Sequence, residues 1–365
     1  MRNSKFNFES RFSFETFTSS KMNELFNIKT ETDFQQKCLE TFNYQYQNSE
    51  VYRKFVDYLN IDPNEIQVVE KIPFLPIEMF KNHTILDQTK STELFFESSG
   101  TTQLNLSKHW IADEKLYQHS IQKSFAQFIG NAEDYIFLGL LPSYLEKKHS
   151  SLIYMVDFLM TKSAKPENGY FLYNHQDLFE LLTQLSTENK KVILFGVSFA
   201  LLDFLDFAEK NRHIIESSEQ LIIVETGGMK GRKDEMTKDE LLNIFQQGFR
   251  TDKIYSEYSM TELLSQAYSL GQNIYVSPNW MRILIRNTED PFSYVEDGRN
   301  GAINIIDLAN RHSCSFIATQ DLGRMLVNPE IPREARNDKR VLSNPFQVLG
   351  RIDHSDIRGC SLLVS

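Results

Sequence analysis

The chain has 365 residues, enough for a deep core in one large α/β unit or in two or three ordinary domains. Its 28 Phe, 15 Tyr and 2 Trp, against only 15 Gly and 10 Pro, exclude a disordered or collagen-like polymer. With 39 basic and 49 acidic side chains the net charge is −10, so no overall positive field exists to gather a nucleic acid backbone, and nucleic acid is not expected as a partner.

The first residues, MRNSKFNFESRFSFETF, carry Glu9 and Glu15 and no continuous apolar stretch, so they read as neither secretory signal nor transit peptide. The longest strongly apolar run, Val192 to Leu202, stops at Asp203, short of the roughly 20 residues that cross a bilayer. A soluble, cytoplasmic protein without a transmembrane segment is expected. The cysteines, Cys38, Cys314 and Cys360, are three in number and widely spaced, which supports neither a disulfide framework nor a zinc site.

Residues 1–90 read as a helical lead-in. Thr32 and Gln35 have capping-box spacing, and Phe34, Cys38, Phe42 and Tyr46 then recur every four residues, which predicts a helix with those side chains inward. KIPFLPIEMF at 71–80 reads as a connector with buried aromatics, and the polar stretch after it leads to the pair Phe95-Phe96. Next comes Ser98-Ser99-Gly100-Thr101-Thr102, small hydroxyl side chains around a glycine. Such a loop can cradle phosphate oxygens with backbone N–H groups and hydroxyls, or it is an ordinary Ser/Thr turn. Lys108 could add a cation there, or be solvated.

Farther on, short apolar runs alternate with helical patterns. Tyr135–Leu141, Val192–Phe195, Leu221–Val224, Met281–Ile285 and Ala302–Ile306 read as strands, and 113–129, 199–209 and 238–248 as helices. The alternation predicts an α/β protein with a largely parallel sheet. Gly196-Val197-Ser198-Phe199-Ala200 follows a strand and nearly matches the G-x-S-x-G nucleophile elbow, so a hydrolase with Ser198 as nucleophile and His312 or His354 as base is a competing reading. Glu225-Thr226-Gly227-Gly228 follows LIIV at the carboxyl end of a predicted parallel strand, the edge at which open α/β sheets bind ligands, although a plain strand exit also explains the glycines.

Thr237 with Glu240 is a second capping box, before LLNIF. In Tyr258-Ser259-Met260-Thr261-Glu262, Ser259 and Glu262 again match a capping box. The functional alternative gives Thr261 a phosphate and Glu262 a Mg²⁺ ion, which takes oxygen ligands. Asp321 in Thr319-Gln320-Asp321 could accept hydrogen bonds from both ribose hydroxyls or cap a turn. Gly350-Arg351-Ile352-Asp353 alone is a turn with charges. After about Asn344 the chain is too short for another domain and reads as a tail or hinge. No internal repeat or long linker is present.

Taken in order, SSGTT, Gly227-Gly228, Tyr258-x-x-Thr261-Glu262, Thr319-x-Asp321 and Gly350-Arg351-x-Asp353 resemble the successive motifs of the adenylate-forming enzymes. Within that superfamily the chain looks like the LuxE-type acyl-protein synthetases, the fatty-acid-activating component of bacterial bioluminescence reductase systems, and the related phenylacetate–CoA ligase branch. The resemblance runs from IPFLPIEMFK at 72–81 to GRIDHSDIRGCSL at 350–362.

It implies an adenylate-forming, ANL-like α/β domain over 1–349 and a truncated C-terminal tail over 350–365 that holds a hinge and a reactive cysteine. It further implies that Ser98, Ser99, Gly100, Thr101 and Thr102 hold the triphosphate of ATP and that Gly227 and Gly228 line the adenine site. Tyr258 joins the nucleotide site, Thr261 and Glu262 hold phosphate and Mg²⁺, Asp321 binds ribose, and Arg351 and Asp353 mark the hinge.

Ordinary members continue into a small domain with a catalytic lysine, whereas this sequence has Cys360 near its end, matching the cysteine that accepts the acyl group in LuxE-like proteins. Arg358 could lower the thiol pKa, and Gly350 and Gly359 could hinge the tail. Gln103 and Gln320 depart from the glycines usual at those positions. The implied activity is ATP-dependent activation of a fatty or other carboxylic acid and its transfer to Cys360 as a thioester, for an acyl reductase or acyl carrier partner. The alternatives are an acyl- or aryl-CoA ligase and a non-catalytic acyl-binding partner protein.

Overall fold

In a computed structural model the described residues are 22, 24–98, 106–142, 147–227, 236–327 and 343–352. Ser99 to Thr102, Gln103, Gly228, Asp353, His354, Arg358, Gly359 and Cys360 therefore lie outside them.

The first long helix, α1 (Glu31–Asn48), starts at a capping box formed by Thr30 and Asp33 rather than by Thr32 and Gln35. The Thr30 hydroxyl accepts from the Asp33 N–H and the Asp33 carboxylate accepts from the Thr30 N–H, both at 3.1 Å. Two such spacings overlap here, and the one that places a charged carboxylate at the positive end of the helix prevails. Phe34, Cys38 and Phe42 are buried as the periodicity predicts, while Tyr46 is half-buried and donates to Asp57 at 2.8 Å. Helix α2 (Glu50–Tyr58) packs beside it, followed by the short strand β1 (Leu75–Pro76) and the helical turn α3 (Met79–Asn82). Strands β2 (Phe95–Glu97) and β3 (Lys108–Trp110) pair antiparallel and lead into α4 (Glu114–Phe128).

The α/β alternation follows as β4 (Ile136–Leu140), α5 (Ser151–Ser163), β5 (Gly169–Tyr170), α6 (His175–Thr187), β6 (Val192–Val197), α7 (Ser198–Lys210), β7 (Leu221–Thr226), α8 (Lys238–Phe249) and β8 (Ile254–Tyr258). Thr237 and Glu240 form the predicted capping box of α8. These strands are mutually parallel in the order β5-β4-β6-β7-β8. Alternate residues serve opposite faces, as the period of two requires. Ile193, Phe195, Ile222 and Val224 join a cluster with Leu116, Ile121 and Leu159, whereas Val192, Leu194, Leu221 and Ile223 join one with Leu178, Leu201 and Phe245.

The remaining strands are β9 (Ala267–Ser269), β10 (Tyr275–Val276), β11 (Met281–Arg286), β12 (Gly301–Asp307), β13 (Phe316–Met325) and β14 (Phe346–Arg351). They extend the same sheet antiparallel in the order β8-β9-β10-β14-β13-β12-β11, and β1 pairs parallel with β13. Two expectations need correction here. The sheet is parallel only in its first half, and the strands predicted at Met281–Ile285 and Ala302–Ile306 form an antiparallel pair. Only a loop joins them, and a parallel return needs a crossover that the segment between them does not contain. Similarly, residues 346–351 are not a tail but the strand that lies between β10 and β13, and Gly350 and Arg351 are its last two positions. Among the described residues no helix is long and apolar enough to cross a membrane.

Candidate active site

The parallel strands β6, β7 and β8 all present their carboxyl ends at one edge, where Tyr258 at the end of β8 meets Asp321 of β13 and the turn after β8 meets His109 of β3. Gly227 follows Thr226 immediately and has φ +71°, a left-handed conformation that glycine adopts without penalty. Among the described residues a Cβ placed there would meet only Val197, at 4.0 Å, so backbone conformation rather than crowding calls for glycine.

Beneath this loop the near-match to a nucleophile elbow resolves as packing. Ser198 is buried and its hydroxyl contacts Glu225 Oε2 and the Gly227 carbonyl, each at 3.0 Å. Its neighbour Gly196 is small because a Cβ would fall 2.9 Å from Leu201 Cγ. His312 is engaged elsewhere, with Nδ1 at 3.1 Å from Tyr44 Oη and 3.4 Å from Asp87 Oδ2. The hydrolase reading loses its base among the described residues. Lys238, the first residue of α8, forms an ion pair with the buried Glu225 from below.

Tyr258, the last residue of β8, donates its hydroxyl to Asp321 Oδ2 at 2.8 Å. Asp321 is the register partner of Arg351 across β13 and β14, and the guanidinium Nε lies 3.7 Å from its Oδ1. Burial pushes the Asp321 carboxyl above its usual range, while the Tyr258 hydrogen bond and Arg351 pull it back. The carboxylate is thus held by one hydrogen bond and one ion pair at the sheet edge and has lone pairs left for hydroxyls of a ligand. Gln320, which replaces the glycine usual in the motif, donates its side-chain amide to Glu78 next to α3, and its backbone carbonyl accepts from Ile352 N at 2.7 Å. The departure is thereby a tether between the strand and the lead-in.

No helix follows Ser259, so the capping box expected for Ser259 and Glu262 does not form. Thr261 and Glu262 occupy a turn between the antiparallel strands β8 and β9. Three residues that no motif announced pin that turn. His109 Nδ1 lies 2.8 Å from the Thr261 carbonyl and its Nε2 lies 2.9 Å from Asn310 Oδ1. The Asn310 amide donates to the Glu262 carbonyl at 2.7 Å. Asp307 Oδ2 accepts from the backbone N–H groups of Leu264 at 2.7 Å and Ser265 at 3.0 Å. Burial lowers the His109 imidazole to about 4, opposed by the Thr261 carbonyl and the Asn310 side-chain oxygen, and a neutral ring donates to one of these two acceptors only. Burial likewise pushes Asp307 up to about 6, opposed by the Ser265 hydroxyl and the backbone donors.

Glu262 is 4 % exposed. Burial pushes its carboxyl up, and a hydrogen bond with the Ser107 hydroxyl opposes this, as do Arg351 and Lys81 at longer range. Ser107 also pairs with Ser98, its N–H donating to Ser98 Oγ and the Ser98 N–H donating to its carbonyl, both at 3.1 Å. The base of the SSGTT loop is therefore hydrogen-bonded to the residue that contacts Glu262. Lys108 pairs with Glu97 at 3.3 Å and lies over the Phe95 ring. Among the described residues no group of three His, Cys, Asp or Glu side chains could hold a metal by itself. A single buried carboxylate beside a threonine suits Mg²⁺, which takes one or two protein carboxylates and completes its shell with substrate phosphates and water.

Of the expected site residues the structure thus brings Ser98, Gly227, Tyr258, Thr261, Glu262, Asp321 and Arg351 to one edge. His109, Ser107, Asn310, Asp307 and Glu78 were missed, because each acts as a lone residue far along the chain and carries no local pattern.

Residues 15–133 match the model of the family described as acyl-protein synthetase, LuxE. No curated protein matches the sequence significantly. Among solved structures, 2-hydroxyisobutyryl-CoA ligase in complex with 2-HIB-AMP and CoA superposes with a TM-score of 0.64 at 13% identity, over 96% of this chain and 76% of the ligase. An open conformation of that ligase gives 0.64 at 12% identity, over 89% and 70%. ATP-bound MatB from Rhodopseudomonas palustris gives 0.50 at 13% identity, over 70% of this chain and 47% of MatB. The chain has the fold of the adenylate-forming ligases, and the family match bears out the resemblance to LuxE-type synthetases. The family match agrees with an enzyme of the ligase class.

Proposed function

We propose that this protein uses ATP to activate a carboxylic acid as an acyl-adenylate and passes the acyl group to a thiol, Cys360 being the acceptor. A fatty acid is the substrate that the resemblance implies. The observation that carries the reading is the convergence of Gly227, the Tyr258–Asp321–Arg351 group and the Thr261–Glu262 turn at the carboxyl edge of one sheet, each matching a nucleotide-handling motif. The acyl-AMP complexes of the neighbouring ligase support the same chemistry here.

In the first step a carboxylate oxygen of the acid attacks the α-phosphorus of ATP, and the bond to pyrophosphate breaks. Asp321 accepts from the ribose hydroxyls and so fixes the nucleoside relative to the loop at Gly227. The 98–102 loop receives the triphosphate, with Ser98 anchored to Ser107. Thr261 donates its hydroxyl to a phosphate oxygen. Glu262 and Thr261 would hold Mg²⁺, which neutralises developing charge on the phosphates. His109, Asn310 and Asp307 keep that turn in place, so that the donors need no reorganisation as charge develops. In the second step a thiolate attacks the acyl carbon, AMP departs with the bonding electrons, and a thioester remains. An acyl reductase or acyl carrier that takes up the thioester completes the proposal.

Intact mass spectrometry after incubation with ATP, Mg²⁺ and a mixture of acids tests it. The expected result is an acyl mass increment that requires ATP, is released by neutral hydroxylamine and is absent from Cys360→Ser. The fold shared with CoA ligases favours one second reading, in which CoA or a carrier is the acceptor. AMP formation only after CoA or a carrier protein is added, without protein acylation, would establish that reading and remove Cys360 from the mechanism. No adenylate under any condition would refute both.

A further inference from the structure

The face of the sheet opposite Ser198 and Lys238 carries an unusual group of polar side chains at the same edge. Glu257 and Tyr268 are direct register partners across β8 and β9, so their side chains share a face. Thr226 is the register partner of Glu257 on the other side, and its hydroxyl donates to Glu257 Oε2 at 2.6 Å. Gln266 immediately precedes β9, at the step where alternation returns to the same face.

All three side chains are nearly inaccessible, at 4 % for Glu257, 1 % for Gln266 and 1 % for Tyr268. Yet among the described residues Glu257 Oε1, Gln266 Oε1 and Tyr268 Oη each lack a hydrogen-bond partner, although the Ser259 hydroxyl also approaches the Glu257 carboxylate. Burial and then the Glu257 carboxylate hold the Tyr268 hydroxyl well above its ordinary range. One orphaned polar atom inside a protein costs about 1–3 kcal/mol. Three of them on one face, next to residues that handle the nucleotide, are poorly explained as packing. The group also adjoins the chemistry directly, because Glu257 precedes Tyr258 and Thr226 precedes Gly227.

We propose that Glu257, Gln266 and Tyr268 form the recognition site for the acid substrate, and that this acid carries a hydrogen-bond-donating substituent, hydroxyl or ammonium, within a few bonds of its carboxylate. The inference rests on the acid activation proposed above and narrows its substrate. A hydroxyl can donate to Glu257 or Gln266 while accepting from Tyr268, and an ammonium can donate to both oxygens. A plain hydrocarbon chain would leave all three atoms unpaired, which is the situation in which a polar site rejects an apolar analogue most strongly.

The test is acid-dependent pyrophosphate exchange into ATP by the full-length protein, with matched sets of 2- and 3-hydroxy acids, 2- and 3-amino acids and their unsubstituted counterparts. Wild type is expected to favour a substituted acid over its unsubstituted counterpart by at least about a hundredfold in kcat/KM. Whether hydroxy or amino acids lead identifies the donor. Glu257→Leu is expected to reverse that preference. Tyr268→Phe, which removes a single hydroxyl and leaves the ring against Phe128, covers the case in which Glu257→Leu does not fold, and it should narrow the preference at least tenfold. Exchange that is as fast or faster with unsubstituted acids, or a preference that neither variant alters, would overturn this inference alone and assign the orphaned atoms to buried water. No exchange with any acid would remove the proposed function and this inference with it.

Discussion

His109 couples acid stability to the geometry of the site, and the size of the effect follows from its surroundings. The ring is 1 % exposed, and burial lowers its pKa to about 4 from an ordinary 6.5. The folded-state value lies below the unfolded one, so the unfolded chain binds the proton more readily between these limits. The stability is fully present above pH 6.5 and is lost as pH falls towards 4. An interval of about 2.5 pH units corresponds to about 3 kcal/mol, a large part of the 5–15 kcal/mol that holds a typical domain.

His109→Asn offers a side-chain N–H in the position of Nδ1 and does not titrate. Losing the rest of the ring and the Asn310 contact is expected to cost about 2–3 kcal/mol at pH 7.5. Urea unfolding at half-unit steps from pH 7.5 to 4, at constant ionic strength, measures both proteins with unchanged m-values. The wild-type advantage should shrink by about 3 kcal/mol across that range. A constant difference would refute the reasoning, because it would mean that His109 is either charged in the fold or open to solvent.

Asp321→Asn should raise the KM for ATP about tenfold with little change in kcat, since it weakens an acceptor for hydroxyls on the nucleoside and leaves Thr261 and Glu262 in place; exchange kinetics showing the reverse pattern would disprove the role. Gly227→Ala, at φ +71° with no close neighbour among the described residues, should cost about 1–2 kcal/mol in urea unfolding, from backbone strain alone. A loss above 3 kcal/mol would point to a clash that the geometry does not contain. Cys38 and Cys314 are fully buried, and burial raises both thiols, Cys314 to about 12. Alkylation of the native protein at pH 8 should therefore spare both, and peptide mapping that finds Cys314 labelled as fast as in the urea-unfolded chain would contradict the packing described.

Local signals in this chain were legible wherever one short segment carries the whole cause. The α8 capping box needs only Thr237 and Glu240, and the inward face of α1 needs only the four-residue spacing of Phe34, Cys38 and Phe42. Strands β4, β6 and β7 announce themselves as continuous apolar runs because both of their faces are covered. The candidate nucleotide motifs could be picked out for a similar reason, since a backbone turn and its small side chains must be contiguous to serve one ligand.

The amino-acid sequence by itself therefore determined the α/β alternation, a set of candidate site residues and the likeness to adenylate-forming enzymes. Tertiary structure alone decided the direction of the second half of the sheet, because pairing follows from which strands meet, and β14 joins β10 and β13 from far along the chain. It also removed one of the two readings of Glu262, the helix cap, by placing the carboxylate buried in a turn. That placement depends on His109 and Asn310, which are 152 and 48 residues from the groups they hold. Such contacts leave no trace in local periodicity, because a single buried side chain can satisfy a distant backbone group from any position that the fold brings near.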